Sequence, residues 1–408
     1  MKKYRIVVAG LSVLLTLPII KAGASGTGKD YSIDKLVQKY IASSSQSERN
    51  RIASEQQSLD WYTIANSITE LEQQIESNNR SINNLESGKG SGTYYEQRYQ
   101  ADYQRVYGYE LEMKLAHYKL QEQLDLLYDE YAERITNRQT KQLELEAYRL
   151  LWNIKTNEEK TAYLEGVKSQ KEHELAVVRE TLNLGYATES NVLAVEAELE
   201  QAKAELVACI DEQNLLLKKY ELAAKESFEQ IAAEYVEAEY SAESVLKEFK
   251  QNSFYTEYYQ KQAEIYKNYA ETLEKQKSEM KKSSYNQEYF ERVQKYIADE
   301  SAYYSNEAAL AENSAECYSE SLELFADETY RNVETLSAQR KAALASLKAV
   351  EKQLEISRIL LEEGRINKTA LMEAENNVLK HDFELSKIEA EIMCLRYAID
   401  NHIENFGN

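Results

Sequence analysis

Apolar residues recur along this chain at alternating steps of four and three. Leu120, Leu124, Leu127 and Tyr131 form one such stripe, and Leu111, Leu115 and Tyr118 form a neighbouring one. Near the C-terminus Ile388, Ile392, Leu395 and Ile399 repeat the stepping. Charged residues fill the intervals, so each stripe reads as a narrow heptad-like seam on a long amphipathic helix. The spacing predicts a short helix from about Asp30 to Tyr40, a long one from about Gln46 to Glu86, and a longer one from about Tyr95 to Leu182. As a single helix, this last stretch would span about 130 Å at 1.5 Å per residue. A helix from about Ser190 to Ala224 then returns antiparallel.

Glycine marks the breaks. Gly88, Gly90 and Gly92 lie within five residues and cannot continue a helix. Gly185 and Gly364, 179 residues apart, each sit where one helical pattern ends and the next begins. There the left-handed conformation open to glycine closes the incoming helix. Thr188 or Ser190 would cap the first outgoing helix, and Asn367 or Thr369 the second.

The second half repeats the scheme. Val245, Leu246 and Phe249 answer Leu36, Val37 and Tyr40 at an offset of 209 residues. A helix is expected to about Lys281, a weaker turn over 281–286, a long helix to Leu361, and a final helix to about Asn405. The difference between offsets of 209 and 179 assigns about thirty extra residues to the outgoing arm of the first half. The expected fold is all-α: two tandem long antiparallel coiled-coil hairpins, over 25–225 and 226–408, behind a signal peptide at 1–24.

Composition supports length rather than bulk. Among 408 residues there are one proline and 12 glycines, which favours long helices. Lys2, Lys3 and Arg5 precede the apolar run from Ile6 to Ile20, and Ala22-Gly23-Ala24 offers a small-residue cleavage site. No cysteine follows that would take a lipid. Cleavage would remove four basic residues and no acid, taking the net charge from −21 to −25. So acidic a chain argues against nucleic acid as a partner. Cys209, Cys317 and Cys394 form neither a disulfide framework nor a metal-ligand spacing. His117, His173, His381 and His402 are scattered, and no phosphate loop or nucleophile elbow is present. The sequence therefore points to no enzyme and no cofactor. The 32 tyrosines read as amphipathic filler, with rings buried and hydroxyls wet.

The segment GRINKTALMEAENNVL resembles the tip of the TolC-like outer-membrane efflux family, with Gly364, Arg365, Ile366, Lys368, Leu371, Glu373 and Ala374 matching in type. LGYATESNVLAVEAEL resembles the first-half tip through Gly185, Thr188, Ser190, Asn191, Val192 and Leu193. The resemblance implies a homotrimer with a helical tunnel that docks by its tips on a periplasmic adaptor (membrane fusion) protein. That adaptor would link it to an ABC or other inner-membrane pump. On that reading the partner-binding residues are Gly185, Tyr186, Thr188, Ser190 and Asn191, together with Gly364, Arg365, Asn367 and Lys368. Glu373 would line the pore constriction, whereas Ala370 stands where the family carries a further acid.

At the other end the chain departs from the family. Between Leu85 and Gln104, and between Ser278 and Phe290, there is no alternation of the kind a lipid-facing strand needs. The chain thus resembles a barrel-less, all-helical relative, in which the turns at Gly88 and Lys281 cap the distal end of the coiled coils. The resemblance places it in the cell envelope: at the outer membrane, or at the extracytoplasmic surface of a cell without one. The missing strands favour an alternative, an extracytoplasmic coiled-coil scaffold or adaptor with no channel.

Overall fold

The computed structural model describes residues 31–404, apart from 229–230, 233–234 and 238. The expected signal peptide and the expected helix end at Asn405 lie outside the described residues. Among the described residues eight helices carry the fold: α1 (Ile33–Ser43), α2 (Ser45–Glu86), α3 (Tyr94–Asn183), α4 (Glu189–Ala224), α5 (Ala242–Asn252), α6 (Tyr255–Glu279), α7 (Gln287–Glu362) and α8 (Lys368–Asp400). Among the described residues the only strands are β1 (Tyr31–Ser32) and β2 (Ile231–Ala232), which pair in parallel. The fold is therefore all-α, with no barrel strand at either expected place.

The 90 residues of α3 form one helix, and the 76 of α7 another. A helix of this length cannot bury its seam against a single short partner, so partners follow one another along it. α2 packs on the first part of α3 and α4 on the second; likewise α6 and then α8 fill the space between α3 and α7. The result is a row of four columns: α2 then α4, α3, α6 then α8, and α7. α2 exceeds α6 by 17 residues (42 against 25) and α3 exceeds α7 by 14 (90 against 76), which accounts for the extra length of the first outgoing arm.

The core is a series of separate clusters. One, built on Val106, Met113, Leu120, Leu273 and Ile297, joins α3, α6 and α7 in the distal half. Another, around Leu36, Val37, Leu151, Trp152 and Tyr220, holds α1 over the middle of α3 and the end of α4. α5 makes the equivalent cover over α7 and α8 through Val245, Phe249, Leu322 and Ile399. Nearer the tips, Leu164, Leu206 and Cys209 join α3 to α4. Several tyrosine hydroxyls, expected to stay wet, instead meet carboxylates on a neighbouring helix. Tyr289 donates to Glu110 at 2.7 Å, Tyr397 to Glu144 at 2.8 Å and Tyr240 to Asp400 at 2.7 Å.

α8 stops short of the expected position because the chain turns to bury its end. His402 takes φ +52°, and the Ile403 N–H donates back to the Ala398 carbonyl at 2.8 Å. Ile403 then packs with Leu145 and Ala398, and Glu404, 3% exposed, meets Arg138 at 2.5 Å and the Tyr318 hydroxyl. This knot lies where α8 ends and α6 begins. Ser253, just ahead of α6, donates to the same tyrosine hydroxyl at 3.2 Å.

At the distal end the turns after α2 and α6 lie side by side. Thr93 and Glu96 form a capping box at the start of α3, and Gln97 donates to the carbonyls of Gly90 at 2.7 Å and Gly92 at 3.1 Å. Asp102, 5% exposed, accepts from the backbone N–H groups of Tyr285 at 2.9 Å and Asn286 at 3.2 Å, and from the Ser283 hydroxyl. Burial pushes its carboxyl up, but these bonds outweigh that and hold it below the usual carboxylate range.

Two predictions follow from these contacts. Arg138→Ala leaves Glu404 buried and unpaired, and should cost about 3–5 kcal/mol in a denaturant titration. Asp102→Ala strands the donors of 283–286 and should cost about 1–3 kcal/mol. Because the folded Asp102 value is depressed, its stabilisation is present above the unfolded value of about 3.9 and is lost as pH falls through the folded one. The gap in Tm between wild type and D102A should therefore be full at neutral pH and close in strong acid. A pH-independent gap would assign the effect to packing.

Candidate functional site: the two tips

Both inter-helix tips are built the same way. At the end of α3, the Gly185 N–H donates to the Leu182 carbonyl at 2.9 Å and the Tyr186 N–H to the Thr181 carbonyl at 2.9 Å. At the end of α7, Gly364 donates to Leu361 at 2.9 Å and Arg365 to Leu360 at 2.8 Å. This paired bonding satisfies the last helical carbonyls and requires a left-handed residue. Gly185 has φ +77° and Gly364 φ +69°, with nothing within 4 Å of where a Cβ would stand at either. Conformation, not crowding, selects glycine.

Three residues beyond each glycine a polar side chain starts the outgoing helix. Of the two cap residues allowed at each tip, the structure uses Thr188 and Asn367. Thr188 Oγ1 accepts from the Asn191 N–H at 3.3 Å, and Asn191 Oδ1 accepts from the Thr188 N–H at 2.9 Å. Asn367 Oδ1 accepts from the Ala370 N–H at 2.9 Å. Ser190 and Thr369 fall inside the first turns of α4 and α8.

The packing of α8 on α3 brings the tips to one end of the molecule. Asn376, 7% exposed, donates to Gln170 Oε1 at 2.7 Å. It sits so close to Gly166 that an added Cβ there would stand 2.2 Å from Asn376 Oδ1. On the other side of α3, Lys171 bridges to Glu174 at 2.8 Å and to Glu198 of α4 at 2.7 Å. Burial raises the Glu174 carboxyl, but its bonds to Lys171 and Gln170 hold it below the usual range. Sequence reasoning missed this lock. An isolated glycine deep in a helix-forming stretch was the available signal.

The tip residues themselves face solvent. Gly185, Tyr186, Thr188, Ser190, Asn191, Gly364, Arg365, Asn367 and Lys368 are all exposed, Tyr186 at 85%. Arg365 pairs with Glu363 at 3.1 Å. Glu373 is exposed on the second turn of α8, beside buried Ala374. Large apolar side chains stand open near both turns: Leu184 and Leu193 at the first, Ile359 in the helix leading to the second. Among the described residues no group of His, Cys, Asp and Glu is arranged to hold a metal ion, and no helix is long and apolar enough to cross a membrane.

No protein-family model and no curated protein matches the chain. Solved structures do. A membrane protein of Pseudomonas aeruginosa aligns over 95% of this chain and 96% of its own, at TM-score 0.52 and 10% identity. The open-state MtrE outer membrane channel of Neisseria gonorrhoeae aligns over 91% and 88%, at TM-score 0.51 and 11% identity. The CmeC outer membrane channel of Campylobacter jejuni aligns over 96% and 94%, at TM-score 0.50 and 11% identity. The chain has the fold of these structures, a TolC-like fold.

Substitution at the tips should act locally, through backbone conformation at the glycines and through the cap at Thr188. Gly364→Ala should cost about 1–2 kcal/mol, the penalty of a left-handed non-glycine residue. Thr188→Ala should cost about 1 kcal/mol through the lost cap. Faster amide exchange confined to the altered turn and the first turn of the following helix would match. Loss of protection in the distal half would show that the tips are not independent.

Proposed function

We propose that this chain is a passive, non-enzymatic component of a tripartite export system, exported by its N-terminal segment to the cell envelope. It forms, or contributes to, a helical conduit and docks by its tips on an adaptor (membrane fusion) protein coupled to an ABC or other inner-membrane pump. The observation that carries this reading is the pair of like-built turns at one free end, ringed by open Leu, Ile and Tyr side chains. Exposed apolar clusters of this kind mark surfaces that meet another protein.

Self-association is part of the proposal. The row of columns has two different outer edges, one of α2 and α4, the other of α7. Val207, Leu215 and Leu222 are exposed on α4, and Leu310 and Leu324 on α7. Unlike edges join head to tail, and such contacts close a ring when the rotation permits. A homotrimer in which each chain gives two hairpins, from 25–225 and 226–408, satisfies this arrangement. Glu373 would then line the narrow end.

The absence of barrel strands among the described residues favours a second reading: an envelope scaffold or adaptor that keeps the helical body and conducts nothing. Size and stoichiometry of the mature protein separate the two. The conduit predicts a trimer at micromolar concentration and binding of an adaptor encoded beside it. A monomer at every concentration, with no adaptor binding, would favour the scaffold. Gly364→Val should abolish adaptor binding while leaving helix content unchanged by circular dichroism. Unaltered binding would move the contact away from the tips.

A further inference from the structure

The distal half holds a groove that neither the tips nor the conduit reading uses. It opens between α3 and α7 and has a volume of about 890 Å³. Four tyrosines line it: Tyr118 from α3, and Tyr296, Tyr303 and Tyr304 from α7. Tyr296 and Tyr303 are more than half exposed, so their rings are open to a ligand.

The Glu300 side chain reaches the groove and is only 15% exposed. One of its oxygens, Oε1, accepts from His117 Nδ1 at 3.0 Å and from the Tyr269 hydroxyl at 2.7 Å. Both of these bonds fall on the one oxygen, Oε1. Burial pushes this carboxyl up, but the bonds from His117 and Tyr269 prevail and hold it below the usual range, so it is ionised at neutral pH. Asp299 adds an exposed carboxylate from the same turn of α7. Two bases also line the groove: Lys114 bonds Glu110, itself a lining residue, at 2.8 Å, and the Arg292 guanidinium lies over the Tyr289 ring at 5.2 Å.

A largely buried carboxylate whose two bonds fall on one oxygen, beside several aromatic faces, is the chemistry that recognises an ammonium. Ring faces attract a cation, and more strongly where water is excluded. We propose that this groove binds a small organic cation with an apolar body, using Glu300 as counter-ion and the tyrosine rings as a cage. The site belongs to the single chain and does not depend on the conduit reading.

Fluorescence polarisation of the full mature chain tests this, with rhodamine 6G as cationic probe and fluorescein as anionic control, in about 0.15 M salt to screen the overall negative charge. Saturable binding of one rhodamine per chain, competed by tetraethylammonium, is expected. Glu300→Gln keeps the acceptor oxygen for His117 and Tyr269 but removes the charge, and should weaken binding at least tenfold. The double substitution Tyr296→Ala with Tyr303→Ala touches only exposed rings and should weaken it at least fivefold with an unchanged Tm. Glu334→Gln, which removes a charge outside the groove, should leave affinity unchanged. Non-saturable binding, equal binding of fluorescein, or equal losses from Glu300→Gln and Glu334→Gln would overturn the proposal. So would full affinity in the folded double tyrosine variant.

Discussion

The ion pair of Arg138 and Glu404 stands where one helix of the inner column ends and the next begins. A rod of stacked helices has no thick core, so its weakest points are the joints at which one partner of a long helix gives way to another. Here the joint between α8 and α6 is closed by a buried carboxylate that only a charged, hydrogen-bonded partner can tolerate. Tyr318 and Ser253 complete the knot from α7 and from the approach to α6. The other column is joined differently. α1 lies over the end of α4, with Tyr40 against Tyr220 and Lys39 paired to Glu226 at 2.7 Å. One joint is polar and buried, the other mainly apolar with a surface pair.

Acidity shapes the rest of the packing. A chain with 70 acids and 49 bases cannot give every carboxylate a Lys or Arg of its own. Tyrosine supplies the missing donors. Its ring fills the seam while its hydroxyl reaches a carboxylate on the next helix, as Tyr269 does to Glu300 and Tyr397 to Glu144. Burial and the adjacent acid both push such hydroxyls up, so they stay protonated and able to donate across the physiological range.

The long-range order of the chain was legible in the sequence because it rests on local periodicity. The four-three stepping located the helices, the glycines located the tips, and the two offsets located the surplus length. The alternation test also removed the barrel strands correctly. The lateral order of the helices was not legible. It depends on pairs such as Asp102 with Ser283 and Asn376 with Gln170, 181 and 206 residues apart, which no local pattern announces. The same holds for Glu300, one acid among many until His117 and Tyr269 close on it. The choice of Thr188 and Asn367 over Ser190 and Thr369 turned on a spacing of three from glycine that both tips share.

The separateness of the apolar clusters has a mechanical meaning. Val106 with Leu273, Trp152 with Tyr220, and Leu164 with Leu206 belong to different clusters strung along one helix. Each section is held mainly by its own neighbours, as in proteins built from stacked repeats, where stability is a sum of local terms. Cooperativity is therefore short-ranged. The tip sections can open locally while the distal half keeps its structure.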